Sequence, residues 1–275
     1  LSIRVWNEFS EAMATCGRKD LQEKYRGYAT EKILELKKTH EWYHSFGLHA
    51  GADAITTNLL NDKEKKAIYN RNFTDRVNRV SYSPFNQYFV IQAFARMNKY
   101  DEALSSIRDL WGGQLRYGGT TFFEDYRPSW NSVISTNGPV PNNQCGFTSL
   151  CHPWGAGVTK WLSEEVLGIK PTAPGFTTFD ILPHLGRTLT DVSGRTPTPL
   201  GDISANFDIL TGLSVISTPA GSIGRIGIPK AEKKISRITI NGKLAWDGKY
   251  HSVSGVSAER GYAFFVLYRC TPWHI

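Results

Sequence analysis

The residues best suited to chemistry lie in one stretch, Gly118-Gly119-Thr120-Thr121-Phe122-Phe123-Glu124-Asp125-Tyr126-Arg127-Pro128-Ser129-Trp130. A carboxylate stands there between aromatic rings, with Arg127 and Trp130 close behind. Carboxylate chemistry on a sugar needs such company. A ring stacks on the sugar's apolar face, and a fixed carboxylate activates water or stabilises positive charge at the anomeric carbon. An acidic pair in an aromatic loop also serves as a helix cap or a surface turn, so the local pattern leaves both readings open. A second stretch to weigh is Thr148-Ser149-Leu150-Cys151-His152-Pro153-Trp154-Gly155-Ala156-Gly157. His152 sits at a loop-to-helix junction and Trp154 begins the helix. A histidine at a helix start is more often a cap or core residue than a catalytic one. A cavity shared with Glu124 would strengthen the functional reading.

The elements that must position these residues read as helices first and strands later. Ile3, Trp6, Phe9 and Met13 form one helical stripe, stopped by Gly17. Leu21, Tyr25, Ala29, Ile33 and Leu36 form a second. Residues 42–47 connect to a segment from Leu48 to Leu60 that is rich in small side chains. Asp62 is placed to cap a short helix through Tyr69. Ser83-Pro84 starts a helix apolar on most sides through Met97, which predicts burial. Asp101 is placed to cap a helix ending near Leu110-Trp111, with Gly118-Gly119 releasing the chain into the aromatic loop. The stretch 113–153 reads as mostly loop, and Trp154 to Leu167 as one further helix ended by Gly168. Consecutive helices with short joints predict antiparallel helical hairpins.

Beyond Pro171, Pro174 and Gly175, which read as a linker, short β-type runs alternate with turns. The runs are Thr177–Leu182, Leu189–Val192, Ile203–Phe207, Ser214–Ser217, Arg225–Ile228, Ile235–Ile240 and Ala263–Tyr268. Asn241-Gly242 is a hairpin signal because both residues tolerate positive φ. Many short strands with regular turn signals predict a β-sandwich.

The bulk properties exclude more than they select. A chain of 275 residues accommodates one or two domains with a sizeable core. The formal charge of +7 is scattered without a dense basic run or groove-reading motif, which argues against a nucleic-acid partner. No apolar run approaches a membrane span. The first residue is Leu1 rather than Met. Cys16, Cys145, Cys151 and Cys270 form no C-x-x-C unit, so a structural zinc site is not expected. A Cys145–Cys151 bridge and free thiols both remain open; the lack of an evident disulfide framework leans toward an intracellular setting. No cofactor is indicated and no dense oxygen-ligand loop for calcium is seen. Oligomeric state is not readable.

The ordered motifs resemble the C-terminal part of family 78 glycoside hydrolases, the bacterial-type α-L-rhamnosidases. The matching pieces are Ser83-Pro84-Phe85-Asn86-Gln87-Tyr88-Phe89, Leu110-Trp111-Gly112-Gly113, Gly119-Thr120-Thr121-Phe122-Phe123-Glu124, Ser149-Leu150-Cys151-His152-Pro153-Trp154, Leu167-Gly168-Ile169-Lys170-Pro171 with Pro174-Gly175-Phe176, and Ile181-Leu182-Pro183-His184. The resemblance covers about residues 1–230. It implies a mainly α fold, a partial (α/α)6 barrel over residues 1–170, followed by a C-terminal antiparallel β-sandwich over 171–275. It also implies an inverting hydrolase acting on a rhamnose-containing carbohydrate, with Glu124 as general base and His152 lining the rhamnose pocket. Trp154, Trp130 and Tyr126 are candidate ring contacts to substrate. Asp125 departs from the pattern and receives no role. The family's general acid lies upstream in an acidic segment that nothing here matches; Glu8 reads as an ordinary helix residue. The expectation is therefore a C-terminal portion of a longer enzyme. Two rivals are a hydrolase of another α/α-barrel family and a non-catalytic carbohydrate-binding protein. A panel of aryl glycosides separates the first; rhamnose binding without hydrolysis marks the second.

Overall fold

The computed structural model describes residues 1–131, 148–229, 236–240, 243–247, 257–259 and 262–267. The chain divides into two compact units, Leu1–Val158 and Thr159–Ile275.

The first unit is helical. Helices α1 (Ser2–Thr15) and α2 (Lys19–Lys37) form an antiparallel hairpin. Its seam is aromatic: Phe9 meets Tyr25 at 4.6 Å between ring centroids, and Trp6 meets Tyr28 at 5.8 Å. Helix α3 (Leu48–Thr56) buries Gly51, Ala52, Ala54 and Ile55. Its small residues permit close approach: a Cβ on Gly51 would lie 2.8 Å from Ile68 of α4 (Asp62–Asn72). The α4 cap is Asn61, one residue earlier than expected. Asn61 Oδ1 accepts the Glu64 N–H at 2.9 Å and Glu64 Oε2 accepts the Asn61 N–H at 2.9 Å. That reciprocal pair satisfies two amides that Asp62 at the same end would leave open. Helix α5 (Pro84–Arg96) is buried as its composition predicts, with Val90, Ile91, Ala93 and Phe94 inaccessible to solvent. Helix α6 (Tyr100–Arg116) starts after Lys99, with Asp101 in its first turn, and runs on through Gly112-Gly113 past the expected stop.

Trp154 to Leu167 is not one helix. A 3-10 turn over Pro153–Ala156 leads into α7 (Gly157–Trp161) and then a π-helical turn over Leu162–Val166. The Leu167 N–H donates to the Leu162 carbonyl at 2.9 Å, a bond five residues back. Val166 and Leu167, at the end of this wider turn, are both buried, Leu167 in the core of the second unit. Gly168, at φ +84°, ends it.

The second unit is β. A five-stranded sheet runs in the order β1 (Ile169–Pro171), β2 (Thr178–Ile181), β6 (Ile223–Pro229), β10 (Tyr262–Leu267), β9 (Ser257–Glu259). A three-stranded sheet holds β3 (Asp191–Thr198), β4 (Gly201–Asp208) and β5 (Leu213–Ser217), and β7 (Ile238–Ile240) pairs with β8 (Lys243–Trp246). The pairs are antiparallel except β2 with β6, which is parallel from Thr178↔Ile223 to Ile181↔Ile226. Parallel neighbours need a long connection, and here it carries the whole β3–β4–β5 meander. The strands expected from composition are present. Strand β1 falls in the stretch read as a linker because it is short and ends in Pro171, which an edge strand tolerates. Likewise β3 runs through Pro197 on an edge. The Asn241-Gly242 turn lies outside the described residues, as do Ile235 and Tyr268; the flanking strands β7 and β8 are antiparallel.

Alternation sets the core of this unit. Ile203, Ala205 and Phe207 of β4 and Ile216 of β5 share one buried cluster with Leu167, Ile169, Phe179, Ile181 and Ile226. Phe179 lies over Gly224, its register partner, where an added Cβ would sit 2.5 Å from the ring. Asp180 and Arg225, also register partners, form a two-pronged ion pair at 2.9 and 2.6 Å.

Candidate active site

The loop bearing Glu124 is anchored by the end of α6. Gln114 is buried, and its Oε1 accepts the Phe123 N–H at 3.1 Å. Gly118, at φ +95°, turns the chain back, and the Gly119 N–H donates to the Gln114 carbonyl at 2.9 Å. Gly119 must be small: a Cβ would stand 2.8 Å from the Phe123 ring. Further along, the Tyr126 N–H donates to the Tyr82 carbonyl at 2.9 Å, tying the loop to the approach to α5. That approach is held by a second buried amide, since Gln87 Oε1 accepts the Ser81 N–H at 2.6 Å.

The second predicted stretch lies alongside the first. The Glu124 N–H donates to the Ser149 carbonyl at 2.8 Å, and the Ser149 N–H donates to Glu124 Oε2 at 3.1 Å. The His152 N–H donates to the Phe122 carbonyl at 2.7 Å, and the Thr121 hydroxyl donates to the Leu150 carbonyl. The Trp154 indole N–H donates to the Glu124 carbonyl at 3.2 Å. The His152 and Trp154 rings lie 4.3 Å apart. The 3-10 turn carrying Trp154 is fixed in turn by the Trp111 indole, which donates to the Gly155 carbonyl at 2.9 Å.

Glu124, His152 and Trp154 are therefore brought together, with Glu124 and His152 half-buried and Trp154 exposed. Tyr126 and Trp130 are not open ring faces. They are 0% and 2% exposed, packed in an aromatic cluster with Tyr117 and Phe123. The Tyr126 ring occupies the space over Gly113, where a Cβ would come within 2.5 Å of it. Asp125 has a carboxyl raised above its ordinary value, first by partial burial and then by the neighbouring Glu124 charge, with Arg127 and His152 opposing. Gln114 and Ser149 escaped the sequence reading. A lone amide in a helix resembles a surface residue, and Ser149 acts through its backbone, which no residue type advertises.

Cys151 is an exposed free thiol; Cys145 lies outside the described residues. Among the described residues no group of three or more His, Cys, Asp or Glu could hold a metal ion, and no helix is long and apolar enough to cross a membrane. A separate cavity of about 150 Å³ lies among α1, α2 and α3, lined by Arg4, Asp53 and apolar side chains and by none of the predicted site residues.

Comparison with known proteins bears on both units. Residues 168–243 match the family described as the bacterial alpha-L-rhamnosidase C-terminal domain. An alpha-L-rhamnosidase of Alteromonas sp. (strain LOR) is 25% identical over 225 residues, covering 81% of this chain and 24% of that protein. The chain thus spans about a quarter of that curated relative. Among solved structures, the alpha-L-rhamnosidase of Dictyoglumus thermophilum superposes with a TM-score of 0.75 at 14% identity, over 96% of this chain and 30% of that one. The Streptomyces avermitilis alpha-L-rhamnosidase complexed with L-rhamnose gives 0.67 at 18% identity, over 94% and 24%. At such identities the structures speak for the fold, while the sequence matches carry the kinship. Residues 168–243 thus match the bacterial α-L-rhamnosidase C-terminal domain, and over most of its length the chain is similar to a part of α-L-rhamnosidases.

Proposed function

We propose that the protein containing this chain is an inverting glycoside hydrolase that releases terminal α-L-rhamnose from glycosides or polysaccharides. The observation that carries the reading is the reciprocal bonding of Glu124 and Ser149 beside the His152–Trp154 ring pair. An amide on Oε2 fixes the carboxylate's orientation, so that it can take a proton from water held against the anomeric carbon. Glu124 is the general base, His152 lines the rhamnose pocket, and Trp154 supplies a ring contact. Tyr126 and Trp130, being buried, support the loop from behind. Inversion requires an acid ~6.5–9.5 Å away across the sugar, leaving room for that water. No residue of this chain is assigned to it, and in this reading it lies upstream in a longer protein. Residues 1–170 then contribute helices to an (α/α)6 barrel and residues 171–275 form a β-sandwich, readings supported by the α1–α2 hairpin and by the core common to two sheets.

The test is hydrolysis of an aryl α-L-rhamnoside, with the released anomer followed by NMR. Glu124→Gln is expected to cut turnover by ~10²–10⁴ without lowering the melting temperature, and β-L-rhamnose is expected as the first product. Near-normal turnover in the variant refutes the base; α-L-rhamnose as first product refutes inversion. Hydrolysis by the 275-residue chain alone would refute the upstream acid.

A further inference from the structure

Next to the Glu124 loop, two large apolar rings stand open to solvent. Phe85 and Trp154 are each 42% exposed. Their centroids are 5.4 Å apart with planes at 28°. Face-to-face contact needs only about 3.5–4.0 Å, so the rings are offset and each leaves part of its surface uncovered.

The pair is rigidly built. Trp154 is held by its indole bond to the Glu124 carbonyl and by the His152 ring. Phe85 is held edge-on by Phe89, at 5.3 Å, on the first turns of α5. The two carriers are locked together through Gly155. An added Cβ there would stand 3.1 Å from Phe122 Cβ, 3.1 Å from the Phe123 carbonyl and 3.4 Å from Pro84 Cβ. Exposed aromatics fixed before any ligand arrives lose little freedom on binding, which favours recognition. Their order also matters. Trp154 bonds the backbone of Glu124, whereas Phe85 is joined to that loop through the Trp154 ring.

We propose that Phe85 and Trp154 form a two-ring platform on which the group linked to the rhamnose rests. Trp154 meets the rhamnosyl ring, and Phe85 meets the flat apolar face of the leaving group, best matched by an aromatic aglycone. This rests on the proposed rhamnosidase reading and adds Phe85 as a determinant of specificity for the leaving group.

The test is calorimetric binding by the 275-residue chain of two probes, L-rhamnose and the hydrolysis-resistant phenyl 1-thio-α-L-rhamnopyranoside. Phe85→Ala is expected to weaken the thioglycoside about tenfold, the worth of one lost ring contact, and to leave L-rhamnose binding unchanged. Phe85→Tyr, which keeps the ring, is expected to restore the thioglycoside. Circular dichroism melting confirms that each variant folds. Unweakened thioglycoside binding in folded Phe85→Ala overturns the platform, as does equal weakening of both probes. Failure of the folded parent chain to bind the thioglycoside overturns it too. The rhamnosidase reading is judged separately, by whether the protein hydrolyses an aryl α-L-rhamnoside at all; near-normal turnover in Glu124→Gln refutes only the base.

Discussion

At Gly113 the backbone of α6 comes so close to Tyr126 that a single methyl group would collide with a fully buried ring. Glycine normally costs a helix about 1 kcal/mol relative to alanine, so helix propensity alone would make Gly113→Ala stabilising. The collision outweighs that gain, because overpacking a well-filled core costs about 1–3 kcal/mol. Gly113→Ala should therefore lower the melting temperature and loosen the Glu124 loop. Gly112→Ala, whose nearest neighbour is the flexible Arg116 guanidinium four residues on in the same helix, at 3.4 Å, should leave the melting temperature unchanged or raise it. A thermal melt of both variants checks the pair. The same residues show what side-chain identity reveals. Glu124, His152 and Trp154 could be picked out because their chemistry is written in the side chain and their setting is a loop. Tyr126 and Trp130 were equally aromatic in sequence, yet whether a ring faces a sugar or a core depends on what lies opposite, for Tyr126 the Gly113 of α6.

Among elements, stripes and breakers located the helices well, and boundaries poorly where packing overrides propensity. The α6 stop was misplaced because Gly112-Gly113 reads locally as an end, while the carbonyls there continue the helix to Arg116. The stretch after Trp154 reads as one helix because its apolar spacing fits one; the extra residue in its π turn is set by burial of Val166 and Leu167. The α4 cap makes a clean test of local chemistry. Asn61→Ala removes the acceptor for the Glu64 amide and should cost about 1 kcal/mol, measured by chemical denaturation. Asp62→Ala, at a first-turn position 101% exposed at its side chain, should cost less, since it removes a charge near the helix start but no capping bond.

On the scale of the whole molecule, the helix-then-strand order was legible, and the parallel β2–β6 pair was not. Pairing direction is decided by a connection of many residues and leaves no mark in either strand. The second unit also carries a pH dependence. The His184 Nδ1–H donates to the Glu165 carbonyl of the π turn at 2.8 Å. Burial is the main cause that pushes its pKa below the ordinary value; Lys170 adds to the lowering, while the Glu165 bond and charge oppose it. The unfolded chain, with histidine near ~6.5, therefore binds the proton more readily than the folded one. Stability should hold above that pH, fall as pH drops through it, and level off below the folded pKa. Denaturation midpoints at pH 7.5 and 5.5 should differ, and His184→Gln should narrow the difference.

The parallel pairing has a further consequence, one of timing. Strands β3, β4 and β5 join neighbours in sequence and can zip as the chain emerges, whereas Asp180 must wait for Arg225, which lies 45 residues later. Contacts that close long loops form late. Pulse-labelled hydrogen exchange during refolding should protect the amides of β4 before those of β2. A ribosome stalled after the meander has emerged but before β6 would then hold a nascent chain with one sheet made and the β1–β2 pair of the other still waiting for its neighbour.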